Sequence, residues 1–465
     1  MNLVSDTVLT VLLAASVGSF AHAEEIAPPA WASKVDATVQ HCLARDETPS
    51  ASIAVVLDRK VAYVKSYGEA HLAPALAATT TTRYHLASLS KTFTAQALLC
   101  LEQDGKVSLN DPVARWLPGL SGGDRVKLRQ LLNHTAGYPD HYPQSYPAGP
   151  RTRPIRPAQL LAEWGHHPLL FPPGSEWHYS NMNYVIAGCV AEKAAGEPLF
   201  RFMERRIFAP LGMTNTVDLD DPKSTTATDA IGYERIALGP LRPAPAEGRG
   251  WSFGAGQVVS TAEDVARWDT AFLEKRLLAA AQSEEEVTPP TLPSGALAPY
   301  ALGLFVSKLG GRVTYFNVGQ GLGFLAINRL YPVERAAVVV LTNTNASPAF
   351  RHIADAVEYI AVPPSPADAE ARRVFLSLQR GEPDRTRFSA DFNAYLDTDR
   401  VKAYAQSLGA LGEPQSFVLR NETTAGGIVT RTYEIVARDR RLSASVIVLP
   451  NGQIEQFIVR DTAGS

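Results

Sequence analysis

Three short stretches of this chain carry side chains whose types and spacing suit acyl transfer. The first is Ser88-Leu89-Ser90-Lys91. Positions three apart share one face of a helix, so the Lys91 amine can reach the Ser88 hydroxyl. A hydroxyl needs a base to attack a carbonyl near neutral pH. Burial beside the positive end of a helix pushes a lysine toward its neutral, basic form. The same helix end offers a backbone N–H to a developing oxyanion. Alone, Ser-x-x-Lys is a weak signal, because most such pairs are exposed residues of ordinary helices. The second stretch is Tyr179-Ser180-Asn181, preceded by Phe171-Pro172-Pro173-Gly174. A phenol beside an ammonium can relay a proton, and a carboxamide can hold a substrate amide. The third runs from Asn317 through Gly319, Gln320, Gly321 and Gly323 to Phe324, between two candidate strands. Its glycines let a ligand approach the backbone of a strand edge, although an ordinary glycine-rich turn reads the same way.

The elements that must position these residues are legible as patterns. Residues 51–57 and 61–67 are short β-rich runs joined by Asp58-Arg59-Lys60 and predict a hairpin. Ser88 to Gln103 predicts a helix, with Phe93, Ala97, Cys100 and Leu101 on one apolar stripe and Asp104-Gly105 as its stop. From about 110 to 250 the chain reads as helical pieces among loops. Strands return at Leu302–Val306, Arg312–Asn317, Gly323–Leu330 and Ala336–Thr342, followed by a helix over 351–360. The proline-rich segment 361–367 predicts a linker. Residues 368–410 are charged and helix-like. Four strands follow at 416–421, 428–437, 442–449 and 454–460, the last two joined at Asn451-Gly452. The expectation is an α/β domain over 24–360, its antiparallel sheet flanked by helices and interrupted by a largely helical insertion, and then a small α+β domain over 368–465.

Taken together in this order, the three stretches resemble the serine β-lactamase and penicillin-binding-protein superfamily, on the side of class C β-lactamases and D-stereospecific peptidases and esterases. Asn133-His134-Thr135-Ala136-Gly137, Ile207 to Met213 and Gly256 to Asp264 are similar to stretches of the same family. The resemblance covers about 30–360. It implies Ser88 as the acylated nucleophile. Lys91 would be the base, or the charge that keeps Tyr179 a phenolate, and Tyr179 the proton shuttle to the leaving group. Asn181 would hold the acyl-side amide, and the Ser88 and Gln320 N–H groups the oxyanion hole. Asn317, with Gly319 and Gln320, would meet the substrate. The family places a lysine or histidine where this chain has Asn317. An asparagine brings no positive charge, so a neutral ester or a D-amino-acid peptide bond is expected ahead of a true β-lactam. Penicillin binding, β-lactamase activity and a catalytically impaired ligand-binding protein are the alternatives. The last domain resembles the small nuclear transport factor-like or cystatin-like modules.

Composition narrows the remaining classes. The chain has 465 residues, 45% hydrophobic and 20% charged, which is globular composition and excludes a mostly disordered chain. A net charge of -3 leaves no field for nucleic acid. Cys42, Cys100 and Cys189 are far apart and form neither a disulfide framework nor a zinc knuckle. Histidines 134, 141, 166, 167 and 178 lack metal-ligand spacing, and nothing matches a nucleotide-binding loop, so no metal or organic cofactor is expected. Residues 1–23 have a short apolar core and end in Ala21-His22-Ala23, the pattern of a cleaved secretory leader, though without a basic start. With that leader removed no segment is long enough to span a membrane. The expected product is secreted, periplasmic in a Gram-negative host.

Overall fold

The computed structural model describes residues 28–142, 144, 149–438 and 440–462. The leader expected at 1–23 lies outside them. Among the described residues, no helix is long and apolar enough to cross a membrane.

A seven-stranded antiparallel sheet is the frame of the molecule. In spatial order its strands are Ala75–Ala77, Lys60–Leu72, Ser50–Leu57, Ala336–Thr342, Phe324–Tyr331, Arg312–Gly321 and Phe305–Leu309. The expected hairpin is present. Asp58 and Arg59 form its two-residue turn, both at positive φ (48° and 62°), which matches the right-handed twist of the strands they join. Alternation along the central strands feeds two cores. Ile53, Val55, Val338 and Val340 pack under the helices Ala32–Arg45 and Ala349–Ala361. Ala54, Val56, Val339 and Leu341 face the opposite core, which holds Phe93, Val265 and Trp268. Ala336–Thr342 is therefore buried on both faces, and it reads as an unbroken apolar run.

The helical insertion lies over this second core, and the helix Ser90–Gln103 runs through its centre. The expected Ser88–Gln103 helix differs in two respects. Ser88 sits in a single 3₁₀ turn, Ala87–Leu89, just ahead of the α-helix. Every residue from Ser90 to Leu101 is buried, so the helix has no polar face for a stripe to contrast with. Gly105, at φ +70°, ends it as expected. The strand expected at Leu302–Val306 starts later, at Phe305. Gly303, at φ +93°, turns the chain against Thr92, whose hydroxyl donates to the Gly303 carbonyl at 2.9 Å.

The segment 361–367 is shorter as a connection than its prolines suggest. One helix ends at Ala361 and the next, Pro366–Arg380, starts with Ser365 as its cap, accepting the Asp368 N–H at 3.1 Å. Beyond it, Ser416–Ala425, Ile428–Ala437, Arg440–Val448 and Ile454–Asp461 form a four-stranded antiparallel meander. Its inner face packs Phe417, Tyr433, Ile435 and Phe457 against Phe375, Leu378 and Phe392 of the preceding helices.

Candidate active site

The Ala87–Leu89 turn, the start of the Asn181–Ala195 helix and the strand Arg312–Gly321 converge on one cavity of about 410 Å³, a size ordinary for a small-molecule site. Ser88, Tyr179, Asn181 and Gln320 line it. Lys91 lies directly behind, fully buried. Its amine is 2.9 Å from Ser88 Oγ, 2.8 Å from Asn181 Oδ1 and 2.9 Å from the Ala255 carbonyl. Burial lowers Lys91 to about 7, against a smaller upward pull from Asp140. The partners then dictate where its lone pair points. The Asn181 and Ala255 oxygens can only accept, so a neutral amine donates its two hydrogens to them. The lone pair is left facing the Ser88 hydroxyl.

Tyr179 completes the pair around the Ser88 hydroxyl, its own hydroxyl donating to Ser88 Oγ at 2.9 Å. Burial raises Tyr179 above the usual tyrosine value, so it is a phenol at neutral pH rather than a phenolate. The loop carrying it is fixed from beneath by His134, a fully buried residue at φ +61°. The His134 ring lies 4.4 Å from the Tyr179 ring, and its Nδ1 accepts from the Ser180 N–H at 3.3 Å. His134 is thus a support within the core.

Asn181 is oriented by a residue that sequence reasoning missed. Asp140 accepts from the Asn181 backbone N–H at 3.1 Å and from its side-chain amide at 3.1 and 3.3 Å. That turns the carboxamide oxygen toward Lys91. No sequence signal marks Asp140, one acid in a loop of prolines and aromatics. His85 and Glu247, which also line the cavity, were missed for the same reason. His141, Tyr142 and Trp251 also line the cavity.

The glycine-rich strand divides its residues between two faces. It pairs with Phe305–Leu309 only through Arg312 to Phe316, and from Val318 onward it reaches the cavity. A side chain at Gly319 would meet the Leu86 carbonyl oxygen at 2.1 Å. The strand therefore lies directly on the backbone that leads into Ser88, and only glycine fits there. Val318 and Gln320 line the cavity, while Asn317 does not. Asn317 is 4% exposed, and its amide donates to the Gly303 carbonyl at 2.9 Å and to Thr92 Oγ1 at 3.2 Å. The expected substrate contact at Asn317 is replaced by a structural one behind the cavity wall. Among the described residues, no lysine or arginine lines the cavity, whereas Asp140 and Glu247 do.

Three comparisons bear on this arrangement. The β-lactamase family model matches residues 35–361. Protein flp of Staphylococcus aureus is 27% identical over 322 residues, covering 67% of this chain. The chain in turn spans only 63% of that relative's length. A D-stereospecific amidohydrolase from Streptomyces is 28% identical, with a TM-score of 0.59 over 69% of this chain and 97% of its own. An octameric penicillin-binding protein homologue from Pyrococcus abyssi, 19% identical, shares the fold over 92% of this chain and 99% of its own, with a TM-score of 0.62. The chain belongs to the β-lactamase family of serine hydrolases.

Proposed function

We propose that this chain hydrolyses an amide or ester of a neutral or amino-bearing acyl group, D-amino-acid derivatives foremost, through an acyl-enzyme on Ser88. The observation that carries this reading is Ser88 Oγ held at 2.9 Å from both a buried amine and a buried phenol. In the proposed sequence, Lys91 accepts the Ser88 proton as Oγ bonds to the substrate carbonyl carbon. The carbonyl oxygen becomes an oxyanion facing the backbone N–H groups of Ser88 and Gln320. Collapse breaks the bond to the leaving atom, which takes the Tyr179 proton. The Lys91 ammonium, 5.0 Å from the centre of the Tyr179 ring, then restores the phenol. Water repeats the cycle on the ester and releases the acid.

The charge of the wall supports the substrate class. Two carboxylates and no cation line the cavity among the described residues, which disfavours an anionic substrate and suits an amine. The Streptomyces relative, described as a D-stereospecific amidohydrolase, agrees with this class. The leader-like segment 1–23 supports a site of action outside the cytoplasm.

The test is covalent labelling followed by intact-mass measurement. A fluorophosphonate is expected to add once to the wild type and not to Ser88→Ala. D-alanine amide is expected to be hydrolysed faster than its L enantiomer. A folded wild type that takes no fluorophosphonate and turns over no activated ester overturns the reading. Long-lived labelling by penicillin would instead assign a penicillin-binding activity.

A further inference from the structure

The cavity at Ser88 does not end at its own wall. A second cavity of about 340 Å³ adjoins it, and His85, Glu247 and Leu322 line both. The second compartment is largely apolar, walled by Ile231, Pro245, Val259 and Phe324. Its inner charges are already satisfied. Arg83 is paired with Asp229 at 2.6 Å, both nearly buried, and Asp220 accepts the Gly250 N–H at 2.7 Å. Arg249 also lines this cavity, with its residue exposed.

The junction has a defined polarity. His85 Nε2 lies 2.7 Å from the Gly256 carbonyl oxygen, which can only accept, so Nε2 carries the hydrogen. Burial lowers His85, keeping the ring neutral. Nδ1 is therefore a lone pair. It stands beside Gly321, 2.8 Å from where a side chain there would begin. Across the junction Glu247 accepts from Ser252 Oγ at 2.8 Å and is held by the Tyr142 hydroxyl. Both groups at the neck are acceptors.

We propose that the second cavity is a subsite for an extended acyl chain, with an N–H of the chain donating to His85 Nδ1 and an apolar end lying against Phe324 and Pro245. The direction follows from Tyr179. The leaving group departs where Tyr179 protonates it, and the second cavity shares neither Tyr179 nor Phe305 with the first. The acyl side is the one that points toward His85. The proposal rests on the acyl-enzyme reading above and narrows its substrate to N-acylated or peptidyl amino acids with an apolar N-terminal group.

Three 4-nitrophenyl esters test it. Those of N-acetyl-D-alanine and N-(3-phenylpropanoyl)-D-alanine differ only in reach. The third replaces the amide N–H of the longer compound by an ester oxygen. The wild type is expected to favour the long amide over the short one in kcat/KM by about tenfold or more. Ala246→Trp, which fills the second cavity from its exposed loop, is expected to lower that ratio about tenfold. His85→Phe is expected to erase the preference for N–H over ester oxygen. A long-to-short ratio that stays within about twofold in Ala246→Trp, or an N–H preference that survives His85→Phe, overturns the subsite. Absence of fluorophosphonate labelling in the wild type would instead sink the acyl-enzyme reading beneath it.

Discussion

At the scale of single residues, the proposed mechanism depends on keeping one amine neutral. Burial lowers Lys91 to about 7, and in the proposed mechanism only its neutral form accepts the Ser88 proton. The sign follows directly: kcat/KM for a neutral ester should be low below pH 6, rise through pH 7 and level above it. Asp140 pulls Lys91 upward. Asp140→Asn should therefore move the acidic limb to lower pH, and it should also lower the plateau as Asn181 loses its anchor. A pH–rate profile of both proteins reads this. A limb that stays in place or moves to higher pH would remove Asp140 from the electrostatics of the site. The close approach of Ser88 and Lys91, the proposed nucleophile and base, was legible in the sequence because their spacing is local, three residues apart. Asp140, His85 and Glu247 were not, because each reaches the cavity through tertiary packing. Asn317 was legible as a strand residue, yet the side its amide takes is set by tertiary contacts, to Thr92 far away in sequence and to the Gly303 carbonyl that Thr92 also holds.

At the scale of elements, the strand Arg312–Gly321 and the turn before Ser88 act as one piece, because nothing separates them at Gly319. Gly319→Ala places a methyl against the Leu86 carbonyl, and neither backbone can yield without moving either the nucleophile or Gln320. The expected result is a loss of stability of about 1–3 kcal/mol and a fall in kcat of about tenfold or more, with the fluorophosphonate reacting more slowly too. A variant with wild-type kcat would show that the strand is free to shift. Elements with their own sequence grammar were placed correctly. The 58–59 hairpin, Ala336–Thr342 and the C-terminal meander all have turn residues or apolar runs that leave one reading. The misplaced boundaries have a different cause. Phe305 begins its strand only after Gly303 has turned against another helix, and the 361–367 connection is tight because Ser365 caps the following helix.

At the scale of the whole molecule, the C-terminal module is joined to the catalytic sheet by buried charge as well as by packing. Arg312, on the strand that carries Gln320, pairs with Glu334 at 3.0 Å and Glu358 at 2.7 Å and lies 3.8 Å from Asp368. Arg329 pairs with Asp355 at 2.8 Å and Glu358 at 3.0 Å. From the module, Arg420 reaches Asp355 and pairs with Glu434 at 3.2 Å. Asp368 belongs to the helix Pro366–Arg380 and Glu358 to the helix before it, so this network spans the connection between the two parts. Such a network adds little over apolar packing while it is intact. Removing one member is costly, because its partners stay buried and unpaired. Arg312 is only 7% exposed in its side chain, and Arg312→Met strands Glu334 and takes from Glu358 one of its two arginines. It should lower unfolding stability by about 3–5 kcal/mol. The exposed pair Arg387–Glu370 serves as the control, and Arg387→Met should change stability by about 0.5 kcal/mol or less. Urea unfolding, followed by far-UV circular dichroism, which includes the module's sheet, and by loss of fluorophosphonate labelling, tests both variants. Because the network touches both parts, the two probes should report one shared transition in the wild type. In Arg312→Met that transition should move to lower urea for both. If only the circular dichroism shifts and labelling persists to wild-type denaturant, the module unfolds on its own and Arg312 does not couple it to the strand Arg312–Gly321.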